Sequence, residues 1–218
     1  MPGNIGIGHT RWSTHGRANT ANAHPHYNKD QTIFAVHNGI IENYQEMRDE
    51  LTLCGYIFNS ETDSEVIVHF FDRVLSRGKD VSAAIQEFMG VAEGTYAILL
   101  MVKGHDNLYV IKKDSPVAIA ILDGMQIVAS DIYAFSNKTN KTKFLDDYEY
   151  AIVSREGFSI YDVSGIKQDR KILEFEWSGE DGTKEEFAHF MIKEIKEQPV
   201  TSKRLISSAK AEQRTVVK

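Results

Sequence analysis

The stretch Gly8-His9-Thr10-Arg11-Trp12-Ser13-Thr14-His15-Gly16 sets a guanidinium, an indole and two imidazoles among glycines. A core strand does not use residues this way: Arg is rarely fully buried unless paired, and Gly weakens a strand interior. The stretch is therefore a candidate binding loop. Arg11 offers a planar fork of donors that can grip a carboxylate with two parallel bonds. Asp63 falls in the first turn of a predicted helix, where the helix dipole favours a carboxylate and where it can pair with an ammonium group. Together the two would read the charged ends of a free α-amino acid. Asn38 and Gly39 follow a predicted strand end. A side-chain amide beside a glycine N–H can form an oxyanion hole for acyl transfer. Each also has an ordinary alternative: a surface ion pair for Arg11, a helix-start residue for Asp63, a hairpin turn for Asn-Gly.

His9, His15, His24, His26 and His37 all precede residue 38. His24-x-His26 could supply two metal ligands, since imidazole is the commonest one. No cysteine accompanies the pair and no HExxH-type helical spacing occurs. Hydrogen-bonded loop histidines, with no metal and no cofactor, are the expected outcome.

These residues need elements to hold them. GNIGIGHTRW and QTIFAVHNGI read as strands, the second ending at the Asn-Gly turn signal. IENYQEMRDELTLCG has helical spacing, with Gly55 at the position after a helix end. In the next helix Thr62 and Glu65 match a capping box, and DVSAAIQEFMG is a third helix. A block of β signals follows from Thr95, including a hairpin turning at Glu156-Gly157. KEEFAHFMIKEIKEQP reads as a last helix stopped at Pro199, and Thr201–Lys218 reads as a basic linker or tail. Helices in one block and strands in another favour an α+β fold with antiparallel sheets over a doubly wound one.

Hydrophobic residues make up 42% and charged residues 26% of the 218-residue chain, as in ordinary globular domains. The net charge of −6 argues against a general nucleic-acid binder. No apolar run approaches the roughly 18 residues of a membrane span. The single cysteine, Cys54, excludes an internal disulfide and fits a reducing, cytoplasmic setting.

GHTRWSTHG, NAHPH, VHNGIIEN, SETDSEV, SPVAIAI…VASD and HFMIKEIKEQP, in this order, resemble the glutaminase domain of the glucosamine-6-phosphate synthases. These are the isomerising glutamine–fructose-6-phosphate transaminases, a branch of the class II glutamine amidotransferases, themselves N-terminal nucleophile hydrolases. The resemblance covers residues 3–199. It implies a four-layer αββα sandwich of two mainly antiparallel sheets and an incomplete glutaminase domain over residues 1–199. It implies that Arg11 binds the glutamine carboxylate and Asp63 its amino group. Thr14 and His15 would complete the substrate pocket, Asn38 and Gly39 would form the oxyanion hole, and Trp12 would help gate ammonia. Read by chemistry alone, Trp12 is a packing residue. Ser13 stands where the family more often has Ala.

The family's nucleophile is a cysteine at the mature N-terminus, activated by its own α-amino group. This chain begins MPGNIG, so the sequence leads one to expect an N-terminally truncated domain that is inactive alone. Its open sheet edge would invite self-association. Cys54 is no substitute: it is mid-chain at a helix C-terminus, where the dipole disfavours a thiolate, and is expected to be a small buried hydrophobe. The family's sugar-isomerase domains have no counterpart here. Two alternatives stand beside a glutaminase fragment: a catalytically dead module that binds glutamine or glutamate, and a metal hydrolase built on the histidine cluster.

Overall fold

The structure is a computed structural model that describes residues 3–13, 15–175 and 184–216. It divides into two compact units, residues 1–175 and 176–218.

The first unit is built on two sheets whose pairings are all antiparallel. The strands that matter for the site are β1 (His26–Tyr27), β2 (Ile33–Ile41), β3 (Gly94–Val102), β4 (Leu108–Lys113), β5 (Ala118–Leu122), β6 (Met125–Ala129) and β8 (Glu149–Val153). With β7 at Lys141–Phe144, β9 at Phe158–Asp162, β10 at Lys167–Gln168 and β11 at Leu173–Glu174, the larger sheet runs β1-β2-β3-β4-β8-β9-β10 and the smaller β11-β7-β5-β6. The hairpin turning at Glu156-Gly157 forms as expected, between β8 and β9 (Phe158–Asp162).

Strand side chains alternate between faces, and the two faces of the large sheet enter different cores. Tyr96, Ile98, Leu100, Tyr109, Ile111 and Tyr150 pack against the helices α1 (Tyr44–Leu53), α2 (Glu65–Ser76) and α3 (Val81–Val91). Their neighbours Ala97, Val110, Ala151 and Val153 pack against Ile119 of the second sheet and Val117 just before its strand β5. The outer face of that sheet, with Ala118 and Ala120, is covered by Phe135 at the end of a 3-10 turn, Ile132–Ala134. The expected α+β class and its paired antiparallel sheets are therefore present, with a helical layer on the large sheet.

Several local expectations change. Asn38-Gly39 is not a turn: both residues lie inside β2, opposite Ala97 and Tyr96. The strand continues through Gly39 because its φ of +125° places a would-be Cβ 2.1 Å from the Thr95 carbonyl oxygen, a position that excludes any side chain. The Thr62–Glu65 capping box does not form. The Thr62 hydroxyl bonds His26 Nε2 at 2.9 Å, while Glu65 accepts from the main-chain N–H groups of Asn59 and Ser60. Cys54 is exposed rather than buried; it caps α1, with Gly55 following at φ +91°.

The second unit contains α4 (Phe190–Val216), which runs on through Pro199 where a stop was expected. Proline removes one ladder bond, and the sequence beyond it is rich in good helix formers. Among the described residues no helix is long and apolar enough to cross a membrane.

Candidate active site

The site is built on one edge of β2. In an antiparallel strand alternate N–H groups point to the same side. On β2 the odd-numbered ones point away from β3. Ile33 N donates to Asn28 Oδ1 at 2.9 Å, His37 N to His24 Nδ1 at 3.2 Å, and Ile41 N to Asp63 Oδ2 at 2.9 Å. The Gly39 N–H lies in this row, between the one held by His24 and the one held by Asp63. A cavity of about 120 Å³ opens there, lined by His9, Arg11, Trp12, His15, His24, His37, Asn38, Gly39, Thr62, Asp63 and Ser64.

The side chain of Asn38, one position earlier, emerges from the opposite face of the strand. Its Oδ1 lies 2.6 Å from His9 Nε2. The Nδ2 group and the Gly39 N–H are thus two neighbouring donors at the cavity. Of the lining residues only Asp63 carries a carboxylate and only Arg11 a guanidinium.

Asp63 is 3% exposed. It precedes α2 rather than lying within its first turn, and it is held by Ile41 N–H and by the Ser64 hydroxyl at 3.3 Å. His37 Nδ1 stands 4.0 Å from the carboxylate and 2.9 Å from Ser64 Oγ. Burial pushes the His37 pKa down, against the pull of Asp63. His24 is lowered to about 3, by burial first and then by His26, His9, His37 and Arg11. His26 is lowered to about 4 by burial, which outweighs the opposing carboxylates of Glu65 and Asp63. Both rings are uncharged at neutral pH, so the cavity wall is polar without a histidine charge from either.

Arg11 grips its own loop. Its guanidinium donates to the carbonyls of His15 at 2.7 Å, Gly16 at 3.3 Å and Arg17 at 2.9 Å. Its backbone is left-handed, φ +49°, uncommon for a residue with a side chain. Asn22 fastens the far side of the loop, donating to Arg17 O at 3.0 Å and accepting from Glu61 N at 2.8 Å. Trp12 is 90% exposed at the cavity mouth, so the packing reading of this residue does not hold. His15 packs edge-on to Tyr44. Thr14 lies outside the described residues.

The structure thus brings Arg11, Trp12, His15, Asn38, Gly39 and Asp63 to one cavity, and adds Thr62, Ser64, His9, His24 and His37. The concentration of histidines before residue 38 was the sequence signal for the last three; Thr62 and Ser64 left none beyond their place beside Asp63. The rings of His24 and His26 meet edge-to-face at 4.8 Å, and His24 Nδ1 and His26 Nε2 are hydrogen-bonded. Among the described residues no group of three or more His, Cys, Asp or Glu is placed to hold a metal ion.

The glutamine–fructose-6-phosphate aminotransferase (isomerizing) of Pyrococcus horikoshii is 45% identical over 201 residues, an overlap of 91% of this chain and 34% of that protein. The protein of the same name from Clostridium acetobutylicum is 42% identical over 200 residues, again 91% of this chain and 33% of the relative. The chain spans about one third of the length of these curated relatives. In fold it is similar to the B. subtilis glutamine phosphoribosylpyrophosphate amidotransferase, with TM-score 0.59, 22% identity, and 71% of this chain and 34% of that one covered. Residues 9–137, which include every residue lining the cavity, match the glutamine amidotransferase domain family, and the chain belongs to that family.

Proposed function

We propose that the β2 cavity binds L-glutamine and its product L-glutamate, and that the chain is the glutaminase portion of a glutamine–fructose-6-phosphate aminotransferase. One observation carries this reading. Asn38 Nδ2 and the Gly39 N–H are adjacent donors in a cavity whose charged lining groups are one carboxylate and one guanidinium. Asn38 and Gly39 receive the oxyanion that develops on the amide carbonyl. Asp63 pairs with the α-ammonium group. Arg11 meets the α-carboxylate with donors its loop carbonyls leave over, while His15 completes the pocket and Trp12 gates it. The Gly39 and Ile41 N–H groups are one strand period apart, roughly 6.7 Å, a separation that suits the extended length of glutamine.

The exposed Cys54 is not among the cavity residues. The 218 residues therefore supply binding and oxyanion donors, and the thiol of the family's reaction is not among them. In the larger enzyme the ammonia released would pass to fructose 6-phosphate to give glucosamine 6-phosphate, in keeping with the names of the relatives. The setting is the cytosol, and the open edge of β6 is the surface for self-association.

Calorimetry with L-glutamate tests the reading. Binding is expected for the parent chain and for Cys54→Ala, with a loss of about 2 kcal/mol or more in Asp63→Asn, the typical cost of removing one partner of a desolvated charge pair. Equal affinity in parent and Asp63→Asn would remove Asp63 from the site. Ammonia release from glutamine by the 218-residue chain at an ordinary enzyme rate, about 1 per second or more, would overturn the assignment of the nucleophile.

A further inference from the structure

The orientation of the Asn38 carboxamide decides whether it is a donor or an acceptor in the cavity. Two hydrogen bonds on His9 settle it. The main-chain N–H of Arg11 donates to His9 Nδ1 at 2.9 Å. A backbone N–H can only donate, so Nδ1 carries a lone pair, and the proton of a neutral imidazole then sits on Nε2. His9 Nε2 lies 2.6 Å from Asn38 Oδ1 and therefore donates to it. The oxygen is occupied by His9, and both N–H bonds of Nδ2 are left for the cavity. The flipped carboxamide would set Nδ2–H against Nε2–H, donor against donor.

The ring itself is held in place. It stacks on His24 with centroids 4.5 Å apart and planes 24° apart. His24 is in turn fixed by the His37 main-chain N–H at 3.2 Å. Burial and its neighbours keep His24 uncharged at neutral pH, so the stack does not set two cations face to face.

We propose that His9 is a positioning residue: as its Nε2–H tautomer it orients the Asn38 carboxamide so that Nδ2 faces the cavity, and the Arg11 main chain selects that tautomer. The inference rests on the reading of Asn38 and Gly39 as the oxyanion pocket. It adds a link between loop and pocket. Arg11 grips residues 15–17 with its guanidinium and, through its N–H, sets the donor that polarises the substrate. Displacing the Arg11 main chain removes the bond that holds His9 in the required form.

The test has two parts. Long-range 1H–15N correlation on the full chain labelled with [15N]histidine reads the tautomer of His9 directly, without a variant or a ligand. The Nε2–H form is expected, and an Nδ1–H form overturns the proposal. The second part measures L-glutamate binding by the parent, His9→Ala and His9→Gln. The γ-carboxylate stands in for the oxyanion. L-2-aminobutyrate, which has the α-amino acid end but no γ-carboxylate, is the control probe. His9→Ala is expected to weaken L-glutamate about tenfold, the scale of one hydrogen bond to a charged group, and to leave L-2-aminobutyrate unchanged. His9→Gln, whose side-chain N–H can take the place of Nε2–H, should recover most of the loss. Equal weakening of both ligands, or no recovery in His9→Gln, assigns His9 a merely structural role and overturns the proposal. If the parent binds no L-glutamate, the pocket reading fails instead. The positioning role is then judged on the ligand-free chain by the tautomer and by the Asn38 side-chain amide resonance. That resonance should move in His9→Ala and stay in His9→Gln; a signal unmoved in His9→Ala overturns the proposal.

Discussion

Gly39 carries two requirements at once. Its N–H faces the cavity, and its φ of +125° with the Thr95 carbonyl against it leaves no room for a methyl group. Gly39→Ala combines backbone strain with a main-chain clash, so a loss of about 3 kcal/mol of stability is expected, read as a lower midpoint in urea unfolding. An unchanged midpoint would mean that β2 can shift away from β3 at this point. Asn-Gly also shows how residue-level reading partly misleads. The pair is the strongest short hairpin signal, and it raised a turn where the chain continues straight. The glycine is needed for a close approach between strands, which propensity does not encode. Arg11, Asp63 and Asn38 were legible as types able to hold an amino acid and an oxyanion. Their own hydrogen bonds were not, because Arg11 turns back onto carbonyls of its loop and Asp63 caps a strand N–H.

At the scale of elements, the loop before α2 and the β1–β2 edge form one polar layer under the cavity. Burial with hydrogen bonds at its heart sets its response to acid. Burial pushes the Glu65 carboxyl up, but the His69 ring 3.4 Å away and donors from Ser60 and Asn59 outweigh it, and the group ends at about 2. Its contribution to stability is present above its ordinary value of 4.5 and is lost as pH falls through about 2. His24 and His26 add to this in the same direction. Unfolded, they take up protons as pH falls below 6.5; folded, they resist until about 3 and 4. The unfolded state then binds more protons, and stability declines with falling pH, by at most about 1.4 kcal/mol per pH unit for each such group. Urea unfolding midpoints are expected to be level from pH 8 to 7 and to fall steadily from about 6.5 to 4. A midpoint constant from pH 7 to 5 would show that these rings protonate without unfolding the layer. Most helices and strands were readable, because periodicity and terminal glycines are local, but GNIGIGHTRW, which reads as a strand, forms none among its described residues. The capping box failed because Thr62 found a partner 36 residues away in His26. Cys54 proved exposed because it falls at the turn leaving α1 rather than on its buried face.

Across the whole molecule, block order was enough to give antiparallel sheets, while the strand order within them depends on long-range pairing that no local pattern fixes. Among the described residues the smaller sheet ends in β6, which pairs only with β5. An open edge of this kind recruits another strand. Sedimentation velocity is therefore expected to show concentration-dependent association, and Met125→Lys, a charge at an exposed position of β6, should reduce it. A monomer at all concentrations would remove β6 as an interface. Successive residues of β2 belong to different interiors. His37 turns to the helical side and Asn38 to the side of the second sheet, yet both border one cavity. A molecule lodged there acts as a rivet through the layers, and its binding free energy is shared by everything that must separate when the chain unfolds. L-glutamate at a hundred times its dissociation constant should raise global stability by about 2.7 kcal/mol. Amide exchange should slow together on β3 and on β5, strands in different sheets that contribute no residue to the cavity lining.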